Sequence, residues 1–268
     1  MGSRAEHGTL HPDQLPASFE RVEPDRALAG LVQWWWLSTW DIPDGATSRQ
    51  HVLAFPSCNL AVETELVGFA GPTTHASHRD LEGRGWVVGA RLRPAAVPAF
   101  TGDPGACRDQ YLTLDAPDLH RAVTALVDAE GPRAAIGVVE EWLVDRAGEP
   151  TEEALLANHM ADACEQEPDI TTITDLADAC GVSVRTLHRL AARYVGLTPY
   201  AMIRRRRLQD AAYRLRDATR PSAALVAAEH GFSDQAHFTR EFQKTLGCSP
   251  SDYLHQIHSR PRPLGPAS

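Results

Sequence analysis

Lysine is almost absent. Lys244 is the only one among 26 basic residues, so the positive charge is almost wholly guanidinium. Cysteine is sparse: Cys58, Cys107, Cys164, Cys180 and Cys248 are scattered and odd in number. No C-x-x-C pair occurs, so neither a zinc ribbon nor a disulfide framework is indicated. No run reaches the roughly 18 apolar residues that a membrane helix needs. Met1 to Leu10 holds no apolar stretch for a secretory signal, so a cytoplasmic protein with free thiols is expected. No phosphate-binding loop, dinucleotide fingerprint or Ser-His-Asp arrangement can be located. No catalytic residue, metal ligand or cofactor is therefore assigned. What is present is ordinary globular material: 268 residues, 43% hydrophobic and 23% charged, room for one large domain or two modest ones.

The net charge of −9 conceals an asymmetry. Residues 169–268 carry 14 Arg+Lys against 9 Asp+Glu, net +5, and residues 1–168 carry 12 against 26, net −14. An acidic body with a basic tail domain suggests a polyanion partner for the second half. A charge excess of this size is weak alone, so the motifs must decide.

The first half reads as β, then α. In Leu31 to Trp40, Val32, Trp34, Trp36 and Trp40 share one strand face, and Leu31, Trp35 and Leu37 the other. A strand apolar on both faces sits inside a sandwich or barrel. His51 to Phe55, Asn59 to Thr64, Leu66 to Ala70, Thr73 to His78 and Gly85 to Arg93 are further strand candidates, some separated by turn signals. The period then changes. Leu119, Val123, Leu126 and Val127 mark one helix face, Ile136, Val139 and Leu143 a second, and Leu156, Met160 and Ala163 a third. These helices could pack on the β layer, carry a dimer interface, or both. The expected class is α+β: a small β-sandwich or barrel with packed helices, then an all-α domain.

The second half contains an approximate repeat. One segment runs Leu176-Ala177, Gly181-Val182-Ser183, Leu187-His188-Arg189, then Gly196-Leu197-Thr198-Pro199. The other runs Val226-Ala227, Gly231-Phe232-Ser233, Phe238-Thr239-Arg240, then Gly247-Cys248-Ser249-Pro250. In each, a short apolar helix (Ile173 to Cys180; Leu225 to His230) ends at a turn glycine. A serine, Ser183 or Ser233, is then placed to cap a longer helix, to about Val195 or about Leu246. Short helix, glycine turn, longer helix is the helix-turn-helix pattern. Thr198-Pro199 opens a linking helix to about Asp217, 19 residues or about 28 Å long. Successive major-groove faces of B-DNA are about 34 Å apart, so one such helix could hold two recognition helices near consecutive grooves.

From about Leu155 to Ile257 the chain resembles the DNA-binding domain of AraC/XylS-type bacterial regulators. The residues that carry the resemblance are Leu176-Ala177, Gly181-Val182-Ser183, Leu187-x-Arg189, Gly196-Leu197-Thr198-Pro199, Arg207-Leu208, the run Gly231 to Phe242, and Gly247-x-Ser249-Pro250-x-x-Tyr253. One departure is Ala191, where the family usually has an aromatic. Phe69-Ala70-Gly71-Pro72 with Val88 to Pro94 resembles a poorly characterised N-terminal domain often joined to such regulators. The organisation so implied is a β-rich effector-sensing domain with a helical extension over 1–150, a DNA-binding domain over 155–257 and a disordered tail over 258–268. Double-stranded DNA is the implied partner, with a small-molecule effector and RNA polymerase as further candidates, no membrane, and a monomer or homodimer equally open.

On the first recognition helix, Leu187 and Leu190 should face the core. Arg185, His188 and Arg189 share another face, with Ser183 and Thr186 at the helix start. Arg can bond guanine bidentately, and His can donate to a base acceptor or a phosphate. On the second, Phe238 and Phe242 should be core. Gln235 and Thr239 form one i,i+4 pair and Ala236 and Arg240 another, with Ser233 and His237 beside them. Gln can read adenine, and Ala can touch a thymine methyl. The plain alternative is that these are solvated polar residues. Arg189 and Arg240 could instead make intradomain ion pairs or phosphate contacts. Four consecutive arginines, Arg204 to Arg207, point all round a helix, so most are expected to serve structure, some pairing with Asp210 or Asp217.

Other groupings are weaker. His51, His75, His78 and Glu63 lie in the β region, but the two histidines of His75-x-x-His78 would point to opposite faces of a strand. Trp34, Trp36, Trp40 or Trp86 could line an effector pocket, though such residues are more often core. Two rival functions remain. One is a small-molecule-binding protein whose DNA domain has decayed. The other is a repair enzyme that accepts a methyl group on cysteine; it would need clustered metal-bound cysteines, and here they are isolated.

Overall fold

A computed structural model of the chain describes residues 17–52, 56–216 and 221–258. These fall into two compact units that part between Ile203 and Arg204.

The first unit opens with a six-stranded sheet. Its strands are β1 (Ala17–Val22), β2 (Val32–Asp41), β4 (Asn59–Glu63), β5 (Val67–Ala70), β7 (Arg84–Leu92) and β8 (Tyr111–Leu114). They lie in the order β1-β2-β7-β4-β5-β8, and every neighbouring pair is antiparallel. A separate two-stranded ribbon pairs β3 (Ser48–Val52) with β6 (Ser77–Leu81). Along each central strand alternate residues point inward: Leu60 and Val62, Val67 and Phe69, Val88, Ala90 and Leu92. Helices α1 (Pro117–Glu130) and α2 (Ile136–Ala147) close this face with Leu119, Val123, Val139 and Leu143. The first two expected helices therefore pack on the sheet.

Three strand expectations need correction. The register of β2 against β7 shifts between Val32 and Trp34, which makes Gln33 the extra residue of a bulge. Strict alternation put Val32 with Trp34; the bulge puts it with Trp35 and Leu37 in the core. Trp34 lies instead against the guanidinium groups of Arg21 and Arg91, 3.7 and 4.2 Å from its ring centre. The strand expected over Thr73 to His78 runs over Ser77–Leu81. Asp109 holds the preceding loop, accepting from the Thr74 amide at 2.6 Å and the Thr74 hydroxyl at 2.7 Å. The strand expected over His51 to Phe55 runs over Ser48–Val52, and 53–55 lie outside the described residues. From residue 259 onward the expected tail also lies outside them.

Helix α3 (Glu152–Gln166) belongs to a second core, with α4 (Ile173–Ala179), α5 (Val184–Tyr194) and the start of α6 (Pro199–Leu215). Ala157, Met160, Leu176, Leu187, Leu190 and Ile203 are among its fully buried members. Polar ties join α3 to the sheet domain. Glu165 accepts from Arg91 at 3.0 Å, Asp162 pairs with Arg93, and Asn158 bridges the Ala95 amide (2.9 Å) and the Gly30 carbonyl (2.8 Å). The turn between α5 and α6 also rests on this domain, through Arg108, which donates to the Gly196 carbonyl at 2.8 Å. In the second unit, α7 (Ala223–Glu229), α8 (Gln235–Leu246) and α9 (Pro250–His258) surround a file of rings. Phe232, Phe238, Phe242 and Tyr253 follow one another at centroid spacings of 5.1, 5.4 and 5.4 Å.

Two turn glycines separate backbone strain from crowding. Gly181 has φ +65° and open space where a Cβ would stand, whereas Gly196 has φ +78° and a Cβ there would meet the Pro104 backbone at 2.5 Å. Gly181→Ala should cost about 1–2 kcal/mol, the left-handed strain alone. Gly196→Ala should cost more, because the Pro104 loop must also move. Denaturant unfolding of the two variants checks the order, and an equal loss would show that the Pro104 contact carries no energy.

Candidate nucleic-acid interface

Both longer helices of the repeat have one buried stripe and one wet face. On α5 the buried residues are Leu187, Leu190, Ala191 and Tyr194. Ala191 is fully enclosed. Ser183 caps the helix as expected, its hydroxyl oxygen accepting from the Thr186 amide at 3.1 Å. Before it, α4 starts in a reciprocal capping box of Thr172 and Asp175. Arg185, His188 and Arg189 are exposed, and Thr186 is half-buried.

Arg189 is engaged within the unit. It donates to Glu153 of α3 at 2.6 Å, and Arg193 and the Tyr194 hydroxyl reach the same carboxylate at 3.0 and 3.2 Å. The Arg189 hydrogen bond leads the interactions that hold the Glu153 carboxyl below its usual range. Of the two roles open to Arg189, the ion pair is present. Nothing in the sequence flagged Glu153, which lies 36 residues from its partner.

On α8 the buried residues are Phe238, Phe242, Thr245 and Leu246. Its cap corrects the sequence reading. The capping residue is Asp234, whose carboxylate accepts from the His237 amide at 2.6 Å; Ser233 stands one place earlier. A carboxylate outcompetes a hydroxyl here because it meets the helix amides with full negative charge. That backbone bond is the main cause of the lowered Asp234 pKa. The spacing Asp234-x-x-His237 could have shown this cap. Gln235, Ala236 and Arg240 are exposed, and His237 and Thr239 are half-buried.

The arginine run is largely internal. Arg204 pairs with Glu241 at 2.6 Å, Arg206 is buried against Asp210 at 3.1 Å, and Arg205 is buried. Arg207 donates to the His230 carbonyl at 2.8 Å and covers the Phe232 ring. Asp210 is thus a partner as expected, and Asp217 lies outside the described residues.

Of the candidate metal residues, His51 and His78 stand opposite each other in the β3–β6 register, while Glu63 and His75 are engaged with other partners. Glu63 is buried and accepts from Arg79 at 2.7 Å and from the Tyr111 hydroxyl at 2.5 Å, while His75 faces Asp109 at 3.4 Å. Among the described residues no group of three His, Cys, Asp or Glu could hold a metal ion. No described helix is long and apolar enough to cross a membrane.

Two helix-turn-helix units with capped, one-sided second helices define the class of protein. Residues 176–256 match a helix-turn-helix domain family, and residues 20–112 match a domain of unknown function, DUF6597. The transcriptional activator RhaS of Pectobacterium carotovorum is 38% identical over 85 residues, 32% of this chain and 30% of that protein. The transcriptional activator NphR of a Rhodococcus species is 32% identical over 149 residues, 55% of this chain and 43% of that protein. A solved structure of a probable AraC family transcriptional regulator from Rhodopseudomonas palustris is 30% identical, with a TM-score of 0.35, and the match covers 40% of this chain and 98% of that one. The chain carries, over residues 176–256, a helix-turn-helix domain of the AraC/XylS type. It spans less than half the length of these two curated relatives.

Two outcomes test the build of α5. Ser183→Ala should cost about 1 kcal/mol of stability, read by chemical denaturation. Glu153→Gln should destabilise only where Glu153 is ionised. A carboxyl held below its usual value in the fold contributes fully above the unfolded value, and the contribution fades as pH falls through the folded one. The gap between wild type and variant should therefore be open at neutral pH and close in acid; a pH-independent gap would contradict the ion pair.

Proposed function

We propose that the chain is a sequence-specific, DNA-binding transcription regulator in which α5 and α8 act as recognition helices in successive major grooves. One observation carries the reading: both helices bury an apolar stripe while Arg185 and His188 on one, and Gln235 and Ala236 on the other, stay exposed near the N-terminal ends. The N-terminal part of a recognition helix is what meets base edges. Arg185 is assigned to guanine, Gln235 to adenine, and Ala236 with Thr239 to neighbouring bases. Ser183, Thr186, His188, Ser233 and Arg240 are assigned to phosphates or adjoining bases. Arg189 would reach DNA only by leaving Glu153.

Residues 155–257 form the DNA-binding part in this reading. The β-rich residues 1–150 modulate it, through a small-molecule effector or through dimerisation. The reading is of a binding protein rather than an enzyme, working in the cytoplasm, with RNA polymerase as a candidate partner. The matched relatives are named activators, which supports activation as its output.

Selection of bound duplexes from a random pool supplies the cognate site, and titration of variants then tests the roles. Arg185→Ala and Gln235→Ala should each cost about 1–3 kcal/mol on that site and relax preference at one or two base pairs. Equal losses on scrambled DNA would overturn base reading by these residues, and a pool without enrichment would support the decayed-domain alternative.

A further inference from the structure

His237 was expected to touch DNA, but both of its ring nitrogens meet groups of its own unit. Nε2 lies 3.3 Å from the Arg204 guanidinium, and Nδ1 lies 3.0 Å from the Ser233 hydroxyl. These two distances fix the protons. A guanidinium has donors and no acceptor, so Nε2 must be the accepting, unprotonated nitrogen. The ring is then the neutral tautomer with its hydrogen on Nδ1, and it donates to Ser233 Oγ. The Ser233 hydroxyl is left free to donate onward, and Asp234 Oδ2 stands 3.2 Å away. The other oxygen of Asp234 caps α8 by accepting from the backbone amide of His237. The side-chain protons point one way, from Arg204 to His237, to Ser233, to Asp234, and the Asp234 carboxylate also accepts from the first turn of α8.

The surroundings hold this path in place. Arg204 is anchored by Glu241, one turn further along α8 from His237. The edge of the imidazole meets the buried Phe232 ring at 5.7 Å. Arg207, over the same Phe232 ring, donates to the His230 carbonyl just before the turn. Ser233 and Asp234 immediately precede Gln235 and Ala236. Whatever fixes the two former residues also fixes where the two latter ones stand.

We infer that His237 is a positioning residue. As a neutral imidazole it ties the entry of α8 to Arg204 on α6, and so sets the placement at which Gln235, Ala236 and Thr239 meet bases. The inference rests on the DNA-binding reading above. It assigns His237 no contact with DNA, which replaces the role expected from the sequence.

The test uses the full chain in two arms. The first arm needs no DNA. Nitrogen NMR of the 15N-labelled imidazoles reads the tautomer directly, and the His237 signals are those lost in His237→Ala, out of 12 histidines. The Nδ1–H tautomer near neutral pH is expected; the Nε2–H tautomer or the cation would overturn the relay. The second arm measures preference for the selected duplex over single-base variants of it, for His237→Ala, His237→Asn and His237→Gln. An Asn amide falls near Nδ1 and can keep only the Ser233 link. A Gln amide falls near Nε2 and can keep only the Arg204 link. Because the relay needs both links, all three variants should lose roughly tenfold in discrimination. The loss should fall at the base pairs that Gln235→Ala relaxes, with affinity for scrambled DNA within about twofold of wild type and little change in Tm. Full discrimination in the variants overturns the inference. So does a loss at a base pair that Gln235→Ala leaves untouched, which would mean direct contact, or rescue by His237→Asn alone, which would mean a local cap. Wild type without any preference would instead overturn the DNA-binding reading, and the NMR arm then judges the relay by itself.

Discussion

Both units depend on a single constraint: a helix of eleven or twelve residues has to bury one stripe well enough to be held, and still leave the rest of its surface open. Burial of each large apolar side chain is worth about 1.5–3 kcal/mol. On α8, Phe238 and Phe242 are fully buried, and on α5 so are Leu187 and Leu190. That is enough to hold a helix too short to persist alone in water. The cap then fixes where the helix begins, through Ser183 in one unit and Asp234 in the other. With the buried stripe and the starting residue both fixed, the orientation of Arg185 follows, and that of Gln235 follows once Asp234 is also tied back through Ser233 and His237 to Arg204.

The charges around these helices serve placement more than stability. Exposed ion pairs are worth about 0–1 kcal/mol each. Glu153 nevertheless gathers Arg189, Arg193 and Tyr194 from one helix, and Glu241 holds Arg204. Each carboxylate restricts long side chains beside an exposed helix face. Much of the arginine excess in the C-terminal half is therefore already engaged inside the protein. Net charge overstates what is free to meet phosphates.

The helical half was legible in the sequence because its signals are local. Turn glycines, capping hydroxyls and the apolar spacing each act within a few residues, and α4, α5, α6, α7 and α8 lie close to where those signals put them. The β half was less legible because its strands answer to distant partners. The two strands not anticipated, β1 and β8, are the two edges of the sheet, and their described side chains are exposed or half-buried, so no buried face marks them in the sequence. The bulge at Gln33 reverses the phase that strict alternation assigns to Val32. In the site, Ser183 was legible as a cap. Asp234 was missed because a serine occupied the position equivalent to Ser183. Glu153 and Glu241 carry no local mark, since each is defined only by an arginine that folding brings to it.

The central claim, that two fixed helix faces read sequence, is tested most directly by a salt titration of the full chain on its selected duplex and on scrambled DNA. Binding to phosphates weakens steeply with salt for any sequence, whereas base contacts carry the ratio between the two duplexes. Both affinities should fall while their ratio stays at about a thousandfold or more across the titration. Two affinities that fall together with a ratio near one would contradict it, leaving a basic surface that attracts DNA without reading it.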